Sequence, residues 1–286
     1  MSLTGQLLQF ASAGVTTAQG VVQYRRATTP GYAGGVTHVL LHGIGSASGN
    51  WLGQLLAAGT ANACASDVLA WDAPGYGASD PLPMAHPRAS DYASRMWAWI
   101  DALDVDPLRT VTLVGHSLGA LMAAAATLQA PKRVHQLVLL APAQGYGNAE
   151  PEVRQKKLSD RLVNLAQLGP AGMARKRATA MLSAQASGEQ VALVEQMMAA
   201  IDTHGYTQAT HMLSNADLAT DLARVACPVR IASGSADTIT PAEGCEALAR
   251  QIGTPYISLG AVGHSCALEA AAAVNRLLGL SPEQNG

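Results

Sequence analysis

The chain has 286 residues, of which 49% are hydrophobic and only 13% are charged, and its formal net charge at pH 7 is −2. A chain of this length and composition can bury a large core, and the lack of a basic surplus excludes the electrostatic footprint of a nucleic-acid-binding protein. No apolar run reaches the roughly 20 residues of a membrane-spanning helix. We therefore expect a globular protein whose partners include neither nucleic acid nor a membrane.

Strand-like and helix-like segments alternate along most of the chain. Apolar and β-branched runs predict strands, in chain order, at residues 21–24, 37–41, 68–71, 110–114, 134–140, 229–233 and 255–259. Helix-forming runs and apolar residues at helical spacing predict helices at residues 48–58, 90–103, 120–126, 242–252 and 266–278. Strands that alternate with helices form βα units, so the chain predicts an α/β fold with a parallel sheet covered on both faces.

The alternation stops after Pro142. Between residues 143 and 215 only helix-like segments follow, and a helical insertion in an α/β sheet is interpreted as a lid. We therefore predict a core of residues 1–142 and 216–286 and a helical cap of residues 143–215. Five methionines are predicted to pack this lid, with some facing the substrate pocket: Met173, Met181, Met197, Met198 and Met212. A run of cations is predicted to form a solvated lid face: Arg175, Lys176 and Arg177.

The cysteines and the N-terminus indicate a cellular compartment. The four cysteines have no C-x-x-C spacing and lack the density of a disulfide framework, which favours reduced thiols. The first residues lack the basic region and the long apolar region of a secretory signal peptide. We expect a cytoplasmic protein, in which Cys266 is interpreted as a core residue at the start of a helix, with a second nucleophile as the alternative.

Ser117 lies in a frame that is typical of a catalytic nucleophile. The predicted strand at 110–114 runs into G-H-S-L-G at residues 115–119, and a helix-forming run follows. This is G-x-S-x-G between a strand and a helix, a sharp turn that exposes the serine hydroxyl above the sheet with helix N–H groups behind it. A bare G-x-S-x-G also occurs by chance as a simple turn or helix cap, but these flanks favour a nucleophile.

A serine hydroxyl needs a base to take its proton and an acid to orient that base. After such a turn the partners follow in the order acid, then histidine. Of the eight histidines, only His264 lies beyond the last candidate acid, and it follows a predicted strand. Asp237 follows the strand at 229–233 in a loop of small residues and is the predicted acid, with Asp217 and Asp221 as the alternatives.

Two backbone N–H groups are needed to bind the negative charge that develops on the substrate. Leu118, directly after the nucleophile, is expected to supply one, and Ile44 in the H-G-x-G loop is expected to supply the other. His42 is interpreted as a local support of this loop, and Asp72 as a brace of the neighbouring turn. His38 and His42 lie four residues apart in strand sequence rather than on a helix, so we predict no metal site, and no cofactor is expected.

Five short motifs follow one another in an order that resembles the α/β-hydrolase superfamily, over nearly the whole chain. They are H-G-x-G at 42–45, D-x-P-G-x-G-x-S at 72–79, G-H-S-L-G at 115–119, G-x-A-D-x-x-x-P at 234–241 and G-H at 263–264. The resemblance implies a mostly parallel sheet of the eight-stranded α/β-hydrolase type, covered by helices on both faces, with a helical cap inserted after the sixth strand.

The branch that the chain resembles contains enol-lactone hydrolases, small carboxylesterases, C–C hydrolases of meta-cleavage products and cofactor-free perhydrolases. A serine nucleophile argues against haloalkane dehalogenases and epoxide hydrolases, and Ser265 stands where C–C hydrolases are expected to have tryptophan. The resemblance thus implies a serine esterase or lactonase that cleaves a small ester, lactone or thioester through an acyl-enzyme, as a monomer or homodimer. C–C bond hydrolysis and a ligand receptor on the same scaffold are the alternatives. The substrate pocket is predicted to involve Trp51, Tyr76, Met122, Tyr206 and Met212.

Overall fold

The computed structural model describes residues 1–60, 64–103, 106 and 109–281. Within these residues, eight strands form a single sheet with the order β1-β2-β4-β3-β5-β6-β7-β8. The strands are β1 Ala13–Thr17, β2 Gly20–Thr28, β3 His38–Leu41, β4 Asp67–Trp71, β5 Val111–His116, β6 Val134–Leu140, β7 Val229–Ser233 and β8 Tyr256–Ser258. Strand β2 pairs antiparallel with β1 and β4, and all other pairings are parallel. This mostly parallel sheet confirms the predicted fold class.

Consecutive residues of the central strands pack into two different cores. Leu41 and Leu113 belong to one apolar cluster, whereas their sequence neighbours Leu40 and Val114 belong to the other. Because side chains alternate between the two faces of a strand, the two clusters lie on opposite faces of the sheet. All four side chains are fully buried, which explains why these strands are continuous apolar runs in the sequence.

Helices cover both faces of the sheet. The helices of the described chain are α1 Leu3–Leu7, α2 Leu52–Ala58, α3 Ala89–Ala102, α4 Leu118–Gln129, α5 Pro151–Arg177, α6 Gly188–Ala199, α7 Thr203–Asn215, α8 Leu218–Leu222, α9 Ala242–Ile252, α10 Cys266–Glu269 and α11 Ala271–Leu277. Trp99 of α3 and Leu121 of α4 join the first cluster, and Leu55 of α2 and Val274 of α11 join the second. None of these described helices is long and apolar enough to cross a membrane.

Four local elements differ from the sequence prediction. Helix α1 and strand β1 are not predicted, because β1 is a partly exposed edge strand without apolar alternation. The helix predicted at 48–58 starts as a 3-10 turn at Ser48–Trp51 before α2. The single helix predicted at 266–278 is divided into α10 and α11 at Ala270, whose φ of −108° and ψ of 36° are not helical.

Helices α5, α6 and α7 lie in sequence between β6 and β7, which are nevertheless hydrogen-bonded neighbours in the sheet. The helical insertion therefore leaves the sheet continuous. Helix α5 packs against both α6 and α7, and it kinks at Gly169, whose φ of 60° favours glycine, just before Pro170. The boundaries of the core at 1–142 and 216–286 and of the cap at 143–215 stay a prediction.

His38 connects the start of β3 to the end of α11. Its Nε2 lies 2.9 Å from the carbonyl oxygen of Leu278, and its Nδ1 lies 2.8 Å from the hydroxyl of Thr37. A carbonyl can only accept, so Nε2 carries the proton of the neutral ring. Burial lowers the pKa of His38 from 6.5 to about 4, because the charged ring would lose its hydration.

This buried histidine predicts a loss of stability in mild acid. The unfolded chain binds a proton at His38 below about pH 6.5, whereas the folded chain resists it down to about pH 4, so the free energy of unfolding falls as the pH drops through this window. Between pH 7 and pH 5 the contribution is about 2 kcal/mol. Urea unfolding at both pH values should show this decrease in the wild type and a correspondingly smaller one in His38→Gln. Equal pH dependence in the two proteins would contradict the assignment.

Candidate active site

Ser117 is the sharp turn between β5 and α4. Its φ of 51° and ψ of −115° lie in a region that residues with a Cβ rarely adopt. Two main-chain hydrogen bonds hold this conformation. The Ser117 N–H donates to the carbonyl of Leu140, the last residue of β6, at 2.9 Å, and the Ser117 carbonyl accepts from the N–H of Ala143 at 3.1 Å. The structure therefore has the strained strand–turn–helix geometry that the G-x-S-x-G pattern predicts.

Two glycines permit the close approaches around this turn. A Cβ added at Gly119 would lie 2.1 Å from the carbonyl oxygen of Leu41, so α4 can pass β3 only without a side chain there. A Cβ added at Gly43 would lie 3.0 Å from the Cβ of Ser117. The loop after β3 thus packs directly against the predicted nucleophile.

Asp237 and His264 form a buried hydrogen-bonded pair. Oδ2 of Asp237 lies 2.8 Å from Nδ1 of His264 and also accepts from the Thr240 hydroxyl at 2.8 Å. Oδ1 accepts hydrogen bonds from the main-chain N–H groups of Ile239 at 2.8 Å and Thr240 at 3.0 Å. Burial raises the pKa of Asp237, but the hydrogen bond and charge of His264 and these N–H donors outweigh it, so the pKa lies below its usual value.

The hydrogen bonds of this pair determine which nitrogen of His264 can act as a base. An ionised carboxylate can only accept, so Nδ1 carries the proton of the neutral ring and Nε2 has a free lone pair. His264 and Ser117 both line the same cavity. The alternative acids lie elsewhere: Asp217 caps α8 by accepting from Thr220 N at 3.2 Å, and Asp221 belongs to that helix.

Ile44 and Leu118, the predicted oxyanion donors, both line this cavity. In the described part of the chain, no acceptor takes a hydrogen bond from the main-chain N–H of either residue. Leu118 is the first residue of α4, where N–H groups have no partner within the helix. Both N–H groups therefore remain available to a negatively charged oxygen.

The loop that carries Ile44 is fixed by side chains on its other side. His42 Nδ1 donates to the carbonyl of Gly43 at 2.8 Å, and its Nε2 accepts from Ala73 N at 3.0 Å. The Tyr76 hydroxyl donates to the carbonyl of Ile44 at 2.7 Å. These partners match the predicted role of His42 as a support.

Asp72 is part of the same support. Its Oδ1 accepts from the main-chain N–H of Ser48 at 2.7 Å, just beyond the loop, and its carbonyl accepts from the Ser79 hydroxyl at 2.6 Å. The carboxylate thus holds the two loops after β3 and β4 against each other, in line with the predicted bracing role.

His116 is a site residue that the sequence reasoning does not assign. Its Nε2 donates to the main-chain carbonyl of His264 at 2.7 Å, and its buried Nδ1 has no partner among the described residues. Burial, and after it the charge of the nearby His264, lower the pKa of His116 from 6.5 to about 3, so the ring is neutral. The only sequence signal is its place inside G-x-S-x-G, next to the nucleophile.

The cavity in front of these residues has a volume of about 270 Å³. Its helical side includes Tyr206 and four methionines of the insertion: Met173, Met181, Met197 and Met198. The other side chains predicted for the pocket lie outside its wall. Trp51 packs edge-on against His116, and the Tyr76 hydroxyl is bonded to the Ile44 carbonyl. Met122 and Met212 are buried members of the first apolar cluster.

Two cysteines lie close to the site. Cys266 starts α10 and is fully buried, and burial raises the pKa of its thiol well above the usual value. Cys245 lies in the cavity wall, and burial raises its pKa to about 11. A nucleophilic cysteine needs a lowered pKa, so these thiols fit packing rather than catalysis.

The geometry at Ser117 agrees with the comparison to known sequences. Residues 39–277 match the model of the alpha/beta hydrolase family. The chain belongs to this family. This alpha/beta hydrolase is 34% identical over 137 residues to 2-hydroxy-6-oxononadienedioate/2-hydroxy-6-oxononatrienedioate hydrolase 2 of Pseudomonas putida, a match that covers 46% of this chain and 44% of that protein. The chain thus matches less than half the length of that relative.

Longer but weaker similarities extend over most of this alpha/beta hydrolase. RutD of Klebsiella pneumoniae (strain 342), whose name describes a carbamate hydrolase, is 26% identical over 84% of this chain and 88% of its own. The enol-lactonase from Burkholderia xenovorans LB400 has a TM-score of 0.79 and 20% identity, covering 93% of this chain and 98% of its own. A thermophilic esterase from Thermogutta terrifontis has a TM-score of 0.78 and 20% identity, covering 94% and 96%. These two structures share the fold.

Proposed function

We propose that this hydrolase cleaves a small carboxylic ester, lactone or thioester through an acyl-enzyme on Ser117. The observation that carries the proposal is the buried Asp237–His264 hydrogen bond of 2.8 Å, whose histidine lines one cavity together with a serine in strained turn geometry. This arrangement has the parts of a nucleophile, a base and an orienting acid.

The acylation step follows from these roles. Nε2 of His264 takes the proton of the Ser117 hydroxyl as Oγ attacks the substrate carbonyl carbon. The carbonyl oxygen becomes negative and accepts from the N–H groups of Ile44 and Leu118. The tetrahedral intermediate then breaks its bond to the leaving alcohol or thiol, which receives the proton from His264.

Deacylation repeats the chemistry with water. His264 takes a proton from a water molecule, whose oxygen attacks the acyl carbon of the ester on Ser117. The second tetrahedral intermediate releases the carboxylic acid, and His264 returns the proton to Oγ. For an ester or thioester the net reaction consumes one water and gives one acid and one alcohol or thiol, and for a lactone it consumes one water and gives one hydroxy acid. Asp237 remains ionised throughout.

The volume of the cavity bears on the length of the acyl group, and the free thiols bear on the cellular location. A volume of about 270 Å³ suits a small acyl group better than a long lipid chain. All four cysteines are free, which supports a cytoplasmic place for the protein.

C–C bond hydrolysis is the second candidate. It draws support from the similarity to the Pseudomonas putida 2-hydroxy-6-oxononadienedioate/2-hydroxy-6-oxononatrienedioate hydrolase 2, whose name describes a keto-acid substrate. Ser265 directly after His264 is the feature that argues against it. A preference for a vinylogous diketone over all esters would favour this candidate.

Labelling with a fluorophosphonate tests the ester proposal. Intact-protein mass should show one adduct, mapped to Ser117 by peptide analysis, and p-nitrophenyl esters should be turned over fastest with short acyl chains. Labelling without turnover of any ester or lactone would overturn the esterase assignment in favour of C–C cleavage. Absence of labelling would overturn the role of Ser117 and bring forward a ligand receptor on this scaffold.

A further inference from the structure

Two arginines of the helical insertion lie in the wall of the active-site cavity. Arg161 belongs to the part of α5 before the kink at Gly169, and Arg177 is the last residue of that helix. Both side chains are half-buried, whereas the neighbouring Arg175 and Lys176 are exposed. The prediction of a solvent-exposed cation face is therefore correct for Arg175 and Lys176, whereas Arg177 contributes to the cavity wall.

Neither of these guanidinium groups has a counter-ion among the residues that the structure describes. No carboxylate of the described residues lies within 4.0 Å of Arg161 or Arg177. The described residues that line the cavity include no aspartate or glutamate, so these two arginines are its permanent charges. The carboxylate of Asp237 is occupied by His264, Ile239 and Thr240.

Two tyrosines, Tyr146 and Tyr206, lie near the two arginines. The guanidinium carbon of Arg161 lies 5.8 Å from the centre of the Tyr146 ring. The Tyr206 side chain is buried in the same wall, and its hydroxyl donates to no described residue. Burial raises the pKa of Tyr206, and the charges of Arg161 and Arg177 act against this increase, so both cations lie within electrostatic reach of the phenol.

Two half-buried positive charges without a carboxylate partner among the described residues, in a largely apolar wall, favour the binding of an anion beside them. A guanidinium group offers parallel N–H donors that match the two oxygens of a carboxylate, and a neutral phenol adds another donor. The methionines that line the remainder of the insertion side suit a short hydrocarbon segment. The wall thus fits a short chain that ends in a carboxylate.

We propose that Arg161 and Arg177, with the Tyr206 hydroxyl, form a subsite that binds a carboxylate on the non-reacting part of the substrate. The inference rests on the proposed ester hydrolysis at Ser117 and narrows its substrate class to esters or lactones that carry a second, free carboxylate. The reactive carbonyl then lies at Ser117, and the carboxylate lies against α5.

A matched pair of substrates tests the subsite. 4-Nitrophenyl hydrogen adipate and 4-nitrophenyl hexanoate have acyl chains of six carbons and share a leaving group, but only the first carries a carboxylate. We expect the wild type to have a kcat/KM for the adipate half-ester at least roughly tenfold above that for hexanoate, the preference expected from charge-assisted hydrogen bonds. A ratio of one or less would overturn the subsite.

Variants assign this preference to the arginines. Arg161→Gln and Arg177→Gln should each lower the adipate-to-hexanoate ratio by roughly tenfold, and lysine at either position should retain part of it. Arg175→Gln, on the exposed side of the same helix, is the matched control and should keep the wild-type ratio. Unchanged ratios in both glutamine variants would contradict the proposal.

Two further measurements separate the subsite from the proposed function. Adipate dianion should inhibit hexanoate hydrolysis competitively and more strongly than inorganic phosphate; the reverse order would show that the subsite does not select a carboxylate. Hexanoate turnover and fluorophosphonate labelling without any preference for adipate would reject the subsite alone. Failure of both esters to react, with no labelling, would reject the hydrolase proposal itself.

Discussion

Replacing Ser117 by glycine is expected to abolish ester hydrolysis while raising the free energy of unfolding. The loss of the nucleophile should lower kcat by about 10⁶-fold. At φ 51° and ψ −115°, a residue with a Cβ stores about 1–3 kcal/mol of backbone strain, which glycine relieves. Glycine also gains freedom in the unfolded chain, so the net stabilisation should be about 1 kcal/mol.

Ser117→Ala is the matched control for this change. Alanine lacks the hydroxyl but keeps the Cβ, so we expect the same loss of kcat with little change in stability. The measurements are p-nitrophenyl ester turnover and urea unfolding of the three proteins side by side. Residual turnover within tenfold of wild type in either variant would contradict the nucleophile role. Equal stability of the glycine and alanine variants would contradict the strain.

The sequence is sufficient to predict that Asp237 and His264 lie close together, because their proximity follows from the strand topology. Each residue lies in a loop after a strand of the parallel part of the sheet, and the carboxyl ends of parallel strands meet at one edge of the sheet. Strands β7 and β8 pair in parallel, which brings the two loops together. The turn at Ser117 has an equally local cause, because a Cβ at position 119 would lie 2.1 Å from the Leu41 carbonyl oxygen of β3, so glycine is required there.

The wall opposite these loops depends on information that no local pattern contains. Helical periodicity is interrupted at Gly169 in α5, so helical spacing alone does not show that Arg161 and Arg177 share one cavity. Met122 lies on a helix that is apolar on all sides, and its pattern does not separate the cavity side from the core side. The contact from His116 to the His264 carbonyl likewise joins residues 148 positions apart.

Replacing Asp237 by asparagine is expected to lower kcat by about 10⁴-fold without unfolding the protein. The reason lies in the two oxygens of this carboxylate. Oδ1 accepts two main-chain N–H groups, from Ile239 and Thr240, so the amide oxygen of asparagine must occupy that position. The amide NH₂ then takes the place of Oδ2 and faces Nδ1 of His264.

An NH₂ group facing Nδ1 reverses the tautomer of His264. Nδ1 must then accept, so the ring proton moves to Nε2, which can no longer take a proton from Ser117. The measurement is kcat for a short p-nitrophenyl ester, with Asp217→Asn and Asp221→Asn as controls that should keep wild-type rates. An Asp237→Asn enzyme with wild-type kcat, or an equal loss in either control, would show that a different acid orients the base. A large and selective loss would establish that one hydrogen bond of 2.8 Å determines where His264 holds its proton.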